Sequence, residues 1–174
     1  MHTWIIDTAH SEIGFKVKHL MVSTVRGQFT NFTGNIKSGD DLTKAEITFS
    51  AEIASINTNN AMRDGHLQSP DFFDAAKFPT LSFNSTKINK TDNTDYVVTG
   101  ELSMHGVTKE ISFDAKSNGT STNMQKEKVM GFEISGALSR KDFGLTWNAP
   151  IEQGGVVVSD EVKLDINIEC KELK

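Results

Sequence analysis

This sequence predicts an all-β domain, either a closed antiparallel barrel or a sandwich, and three observations carry that prediction. Most of the chain alternates apolar and polar residues with period two, the mark of strands with one buried face. Turn signals separate the runs at hairpin spacing rather than at the spacing of βαβ units. About eight or more such strands must bury their apolar sides together, which a closed barrel or a sandwich achieves. Closure also removes exposed edges.

In 12–19, Ile13, Phe15, Val17 and His19 share one parity against Glu12, Lys16 and Lys18. On that parity His19 is expected to be a satisfied core histidine. The run 25–36 changes parity between Phe29 and Phe32, which predicts a bulge or bend. In 45–53, Ala45, Ile47, Phe49, Ala51 and Ile53 oppose Glu46, Thr48, Ser50 and Glu52. Alternation then stops. Residues 57–69 read as one or two helical turns, with Thr58 or Asn59 as N-cap, Ala61, Met62 and Leu67 facing inward, and Pro70 as the stop. The stretch 57–78 is thus a helical and looped excursion packed on the end or side of a sheet. Strands resume at 81–88, 96–104, 109–115, 129–138 and 162–170. The last run is the clearest: Val162, Leu164, Ile166, Ile168 and Cys170 against Lys163, Asp165, Asn167 and Glu169. Turn signals stand at Ser38-Gly39-Asp40-Asp41, Asn89 to Asn93, His105-Gly106 and Ser117-Asn118-Gly119.

The 174 residues suit one domain, 1–174, with no linker or internal repeat. Apolar residues at 37% and charged residues at 24% are ordinary for a protein with a core. Eighteen Lys+Arg against 23 Asp+Glu leave a net charge of −5. That balance speaks against nucleic acid, which needs clustered cations, and against a polybasic membrane mode. Eleven phenylalanines against one tyrosine favour a dry interior. Cys170, the single cysteine, forms no internal disulfide and is expected to be an inert buried thiol. The segment Met1 to Asp7 lacks the basic and apolar regions of a signal peptide. The expectation is a cytoplasmic protein, or a periplasmic one if the chain has been trimmed. No apolar run reaches membrane-spanning length, so no stable membrane insertion is expected.

His2, His10, His19, His66 and His105 lie in separate segments without metal-ligand spacing. No metal, cofactor or catalytic cluster is expected. There is no GxSxG elbow, GxGxxG or Walker loop. The pairs Asp40-Asp41 and Asp160-Glu161 read as solvated turns or caps. The four Asn-x-Ser/Thr sites read as chance occurrences. The densest polar stretch, Arg63 to Asp74, packs a cation, anions, an imidazole and two aromatics into twelve positions. It reads as a lid or ligand mouth, or as a capped helix paired with its neighbours. Arg140 to Gly144 reads as a polar bend after a strand.

These segments resemble the YceI-like family of lipocalin-like, polyisoprenoid-binding proteins from end to end. The resemblance rests on Trp4-Ile5-Ile6-Asp7-Thr8-Ala9-His10-Ser11, Phe15-x-Val17-x-His19 and Val25-x-Gly27-x-Phe29. It continues through Ser55 to Thr58, Arg63-Asp64-x-His66-Leu67-x-Ser69-x-Asp71-Phe72-Phe73, Phe78-Pro79 and Phe83-x-Ser85. It ends with Gly100 to Lys109, Arg140-x-Asp142-Phe143-Gly144 and Ser159-Asp160-Glu161-Val162. Asn57 departs from the aspartate common in the family. The resemblance implies an extended eight-stranded antiparallel lipocalin-like barrel with a helical excursion, a bacterial source, a long isoprenoid or similar lipid inside, and pairing as a homodimer.

Both lines lead to one expectation, a non-enzymatic carrier or store of a long apolar lipid. The expected lining is Phe15, Val17, Phe49, Phe83, Leu102, Met104, Phe113, Phe132, Ile134, Leu164 and Ile166. Arg63 and His66 are the candidates for polar groups near a mouth or head group, with 57–74 as the cover. Two rivals stand beside it. One is an enzyme acting on a small apolar molecule through His10, His66 or His105. The other is a structural or interaction protein whose barrel is filled by side chains.

Overall fold

In a computed structural model, which describes residues 1–149 and 157–174, eight strand paths join in chain order and the last closes on the first. Three of the paths are bent. β1 (His2–Ile6) continues into β2 (Glu12–His19), β3 (Ser23–Phe29) into β4 (Phe32–Ser38), and β5 (Glu46–Glu52) into β6 (Ile56–Asn57). After α1 (Ala61–Gln68) come the long strands β7 (Thr80–Lys90), β8 (Asp95–Met104), β9 (Val107–Thr122), β10 (Lys128–Ser139) and β11 (Val158–Glu172). All pairings are antiparallel. β11 closes the barrel by pairing β2 along 158–167 and β1 at Cys170–Glu172.

The bends sit side by side and bond to one another. The Thr30 N–H donates to the Ser55 carbonyl at 3.2 Å, and the Glu52 N–H to that of Asn31 at 2.9 Å. The Asp7 N–H reaches the Glu169 carbonyl at 2.8 Å. The sheet thus turns a corner while its backbone stays paired, as buried polar groups require. The parity change between Phe29 and Phe32 marks the middle bend.

Ser117-Asn118-Gly119 does not end a strand. β9 runs through it, and the register with β10 shifts between Gly131 and Phe132. Gly119 takes φ +83°, so a chain signal that reads as a turn is a bulge. The actual turn lies at Asn123–Glu127, where the Asn123 side chain accepts from the Gln125 and Glu127 N–H groups at 3.0 and 2.9 Å.

Helix α1 is capped by Asn60, one residue beyond the expected cap, and Ser69 stands before Pro70 at its end. Thr58 serves differently, accepting from Arg63 and donating to Asp64. Met62 is 86% exposed rather than inward, because the helix rests on the barrel through Leu67. His19 is also exposed. It holds the inward parity but stands at the last position before the β2–β3 turn, beyond the packed layers.

Candidate functional site

The barrel encloses an apolar cavity of about 280 Å³. All eleven expected lining residues meet in its wall: Phe15, Val17, Phe49, Phe83, Leu102, Met104, Phe113, Phe132, Ile134, Leu164 and Ile166. Register explains the convergence. Phe15 stands opposite Leu164, Phe83 opposite Phe49 and Leu102, and Ile134 opposite Ile166. Inward parity carries through neighbouring strands, because opposite residues in a ladder share a face. Eight of the eleven phenylalanines line the cavity. Glycines make room for the rings. A Cβ on Gly100 would lie 2.5 Å from Phe83 Cζ, and Phe83 in turn packs on Phe113 at 5.1 Å between centroids.

The excursion after β6 covers one barrel end. Leu67, Phe72 and Phe73 contribute to the cavity wall, and Phe73 meets Phe29 edge-on at 6.2 Å. Arg63 and His66 do not line it. The Arg63 guanidinium donates to Thr58 Oγ1 at 2.8 Å and to the Thr58 carbonyl at 2.7 Å, locking the helix entry. His66 lies 2.9 Å from Asp71 and packs edge-on against Phe72 and Trp147. Both therefore act inside the cover.

Arg140 is the residue the sequence hid. It reads as part of a polar bend, yet it is 4% exposed and reaches the cavity wall. Its Nε donates to the Ser159 carbonyl at 2.9 Å, and Nη1 to those of Leu145 and Trp147 at 2.6 and 2.9 Å. Nη2 donates to Val158 at 3.3 Å and lies 3.7 Å from Asp160. Burial pulls its pKa down and Asp160 opposes that shift. The guanidinium ties the chain after β10 to the start of β11. Neighbouring Lys141 and Asp142 are exposed, and nothing in the local composition separates Arg140 from them.

Among the described lining residues only Asn35, Tyr96 and Arg140 carry polar side chains. Such a wall removes apolar surface from water and offers no activated nucleophile. His10, His66 and His105 all lie outside the lining. His105 Nδ1 contacts the Phe143 carbonyl at 2.9 Å. His10 meets Asp7 at 2.9 Å and Glu169 at 3.9 Å. Lys171 Nζ lies 3.0 Å from the same Asp7 oxygen, so a cation already answers that carboxylate. Cys170 is fully buried, and burial pushes its thiol up to about 12.

The YceI-like domain family matches residues 4–170. A UPF0312 protein of Staphylococcus aureus is 35% identical over 171 residues, 97% of each chain. Another from Staphylococcus epidermidis is 39% identical over 166 residues, 94% of each chain. The crystal structure of the Campylobacter jejuni YCEI protein superposes with a TM-score of 0.78 at 35% identity, covering 97% of this chain and 96% of that one. A polyisoprenoid binding domain from Saccharophagus degradans shares the fold at 15% identity, with a TM-score of 0.71 and 98% of both chains covered.

Proposed function

This chain belongs to the YceI-like family, and on that premise we propose that it binds and stores or carries a long apolar lipid, a polyisoprenoid above all, without catalysing a reaction. The observation that carries the reading is the cavity itself, about 280 Å³ with a wall almost wholly of carbon. Left empty, such a wall forgoes the packing contacts of a filled core, at a cost in stability. A filled barrel would have avoided that cost with larger side chains. An apolar occupant offsets it.

Each five-carbon unit taken from water contributes roughly 4 kcal/mol gross, at about 0.8 kcal/mol per carbon. Ordering a flexible chain returns much of this, so several units are needed for tight binding. The volume stands just below the usual range of ligand pockets, about 300–1,000 Å³. A long chain therefore widens it by moving side chains of the wall or cover. The fold is shared with the polyisoprenoid binding domain of Saccharophagus degradans. That likeness carries the architecture, and the choice of ligand rests on this chain's own lining. The enzyme reading loses support because its three histidines stand outside the cavity wall. Pairing as a homodimer remains part of the proposal and is read by light scattering.

Phe83→Asp tests the reading. Phe83 is 6% exposed, and a carboxylate there either costs several kcal/mol or is forced to take up a proton. The variant should lose both extractable lipid and stability. Wild-type lipid content in a folded Phe83→Asp protein would contradict the cavity as the binding site.

A further inference from the structure

The outer face of β11, β2 and β3 carries a row that sheet electrostatics disfavours. Lys163 stands opposite Lys16, and Lys16 stands opposite Arg26. Three cations therefore lie side by side across three strands, spanning about 10 Å at the usual strand spacing. Like charges directly opposite destabilise a sheet. Among the described residues Asp165 is the carboxylate that answers the row, 3.5 Å from Lys16 and 3.6 Å from Arg26. Lys18, two residues nearer the hairpin tip, donates to Thr24 Oγ1 at 3.2 Å. The net charge of −5 speaks against a polybasic membrane mode for the chain as a whole, but residues 13–39 hold Lys16, Lys18, Arg26 and Lys37 with no Asp or Glu, so this segment is locally cationic.

The tip of this hairpin is apolar. Leu20, Met21 and Val22 are 36%, 60% and 83% exposed. The Val22 N–H closes the turn on the His19 carbonyl at 3.1 Å. Its two central residues, Leu20 and Met21, hold φ of +51° and +61°. Left-handed backbone favours Gly, Asn or Asp, and bulky side chains there are strained. The turn thus carries large apolar groups in a conformation that suits small polar ones, and leaves them in solvent.

We propose that the β2–β3 hairpin docks the protein on an anionic lipid bilayer, with Leu20, Met21 and Val22 entering the interface and the cationic row facing the lipid phosphates. The spacing fits. Lys18 and Lys16 lie two and four residues behind Leu20, about 7 and 13 Å along a strand. Interfacial elements bury their apolar part about 5–10 Å deep. Two carboxylates stand at the same end of β11: Asp160 is held by Arg140 and Lys141 at 3.7 and 3.3 Å, and Glu161 is exposed. β2 also sends Phe15 and Val17 into the cavity wall, so one strand joins the docked tip to the interior. The biological purpose rests on the lipid-binding reading, while the docking observations stand without it.

Co-sedimentation of the full chain with vesicles tests this, comparing phosphatidylcholine mixed with phosphatidylglycerol against phosphatidylcholine alone. Binding should need the anionic lipid and weaken with salt. Removing one cation, as in Lys18→Gln, should weaken partitioning about fivefold. Met21→Ser combined with Val22→Ser should abolish binding while the circular-dichroism spectrum and extractable lipid stay at wild-type levels. Equal binding to both vesicle types, or binding unchanged by the tip variant, would overturn the proposal. So would a tip variant that turns a dimer into a monomer, which would make the tip a contact between copies. Lipid-loaded protein that ignores vesicles sinks docking and leaves the cavity reading intact. Wild type that takes up no lipid on incubation with a polyprenyl alcohol and still binds anionic vesicles sinks the cavity reading and supports docking.

Discussion

The ring of Phe15 lies over Gly27, its partner across the β2–β3 ladder, so closely that a Cβ built on Gly27 would stand 2.4 Å from Phe15 Cζ. The glycine therefore leaves the space that the ring of Phe15, a cavity-lining residue, occupies. Gly27→Ala should drive the ring off its position, lower stability by about 1–3 kcal/mol and reduce lipid loading. Adding Phe15→Leu should restore part of the stability. Chemical denaturation of the two variants checks this, and additive losses would contradict the contact.

Arg63→Ala should lower the unfolding midpoint and leave lipid off-rates unchanged. The guanidinium holds Thr58, which is 5% exposed, and does not reach the cavity. Its removal leaves a buried carbonyl short of a donor, at a cost of about 1–3 kcal/mol. Fluorescent-lipid release and thermal unfolding, measured on the same protein, separate structure from binding. A faster release at unchanged stability would return Arg63 to the ligand site.

Arg140→Lys should not substitute for arginine. The planar fork reaches four carbonyls, whereas an ammonium offers three donors at one point. A loss of about 2 kcal/mol or more is expected in urea denaturation. A lysine variant as stable as wild type would show that the carbonyl cage contributes little.

His10 should tie stability to pH. Its hydrogen bond to Asp7 raises its pKa above the ordinary 6.5, helped by the charges of Asp7 and Glu169. Burial alone would raise Asp7, but the bonds from His10, Lys171 and the Ala9 N–H outweigh it and leave its carboxyl below the ordinary 3.8. The His10 contribution is thus complete below pH 6.5 and is lost as pH rises through the raised value. The Asp7 contribution is present above pH 3.8 and is lost as pH falls through the lowered value. Thermal midpoints of wild type should decline as pH rises above 6.5 and through the raised His10 value, and His10→Ala should flatten that limb. An unchanged slope in the variant would assign the decline to other groups.

The cavity wall was legible because it depends on parity, a property written along each strand. Phe49, Phe83, Leu102 and Ile166 need only their own alternation to be placed inward. The bend at Ile53–Ser55 was not legible, because Ala51 and Ile53 keep their parity through it. Gly119 was misleading, since a glycine with positive φ serves a bulge as well as a turn. Arg140 escaped because its burial comes from carbonyls as far away as Ser159, which composition near Arg140 cannot reveal. Met62 shows the same limit in the other direction, as a short helix has too few turns for spacing to define its inner face.

Native mass spectrometry of gently purified protein reads the occupancy of the cavity itself. A lipid-binding barrel should give a population heavier than the bare chain by the mass of an apolar lipid, released by organic extraction and diminished in Phe83→Asp. Bare-chain mass alone, with no lipid taken up on incubation with a polyprenyl alcohol, would contradict lipid binding.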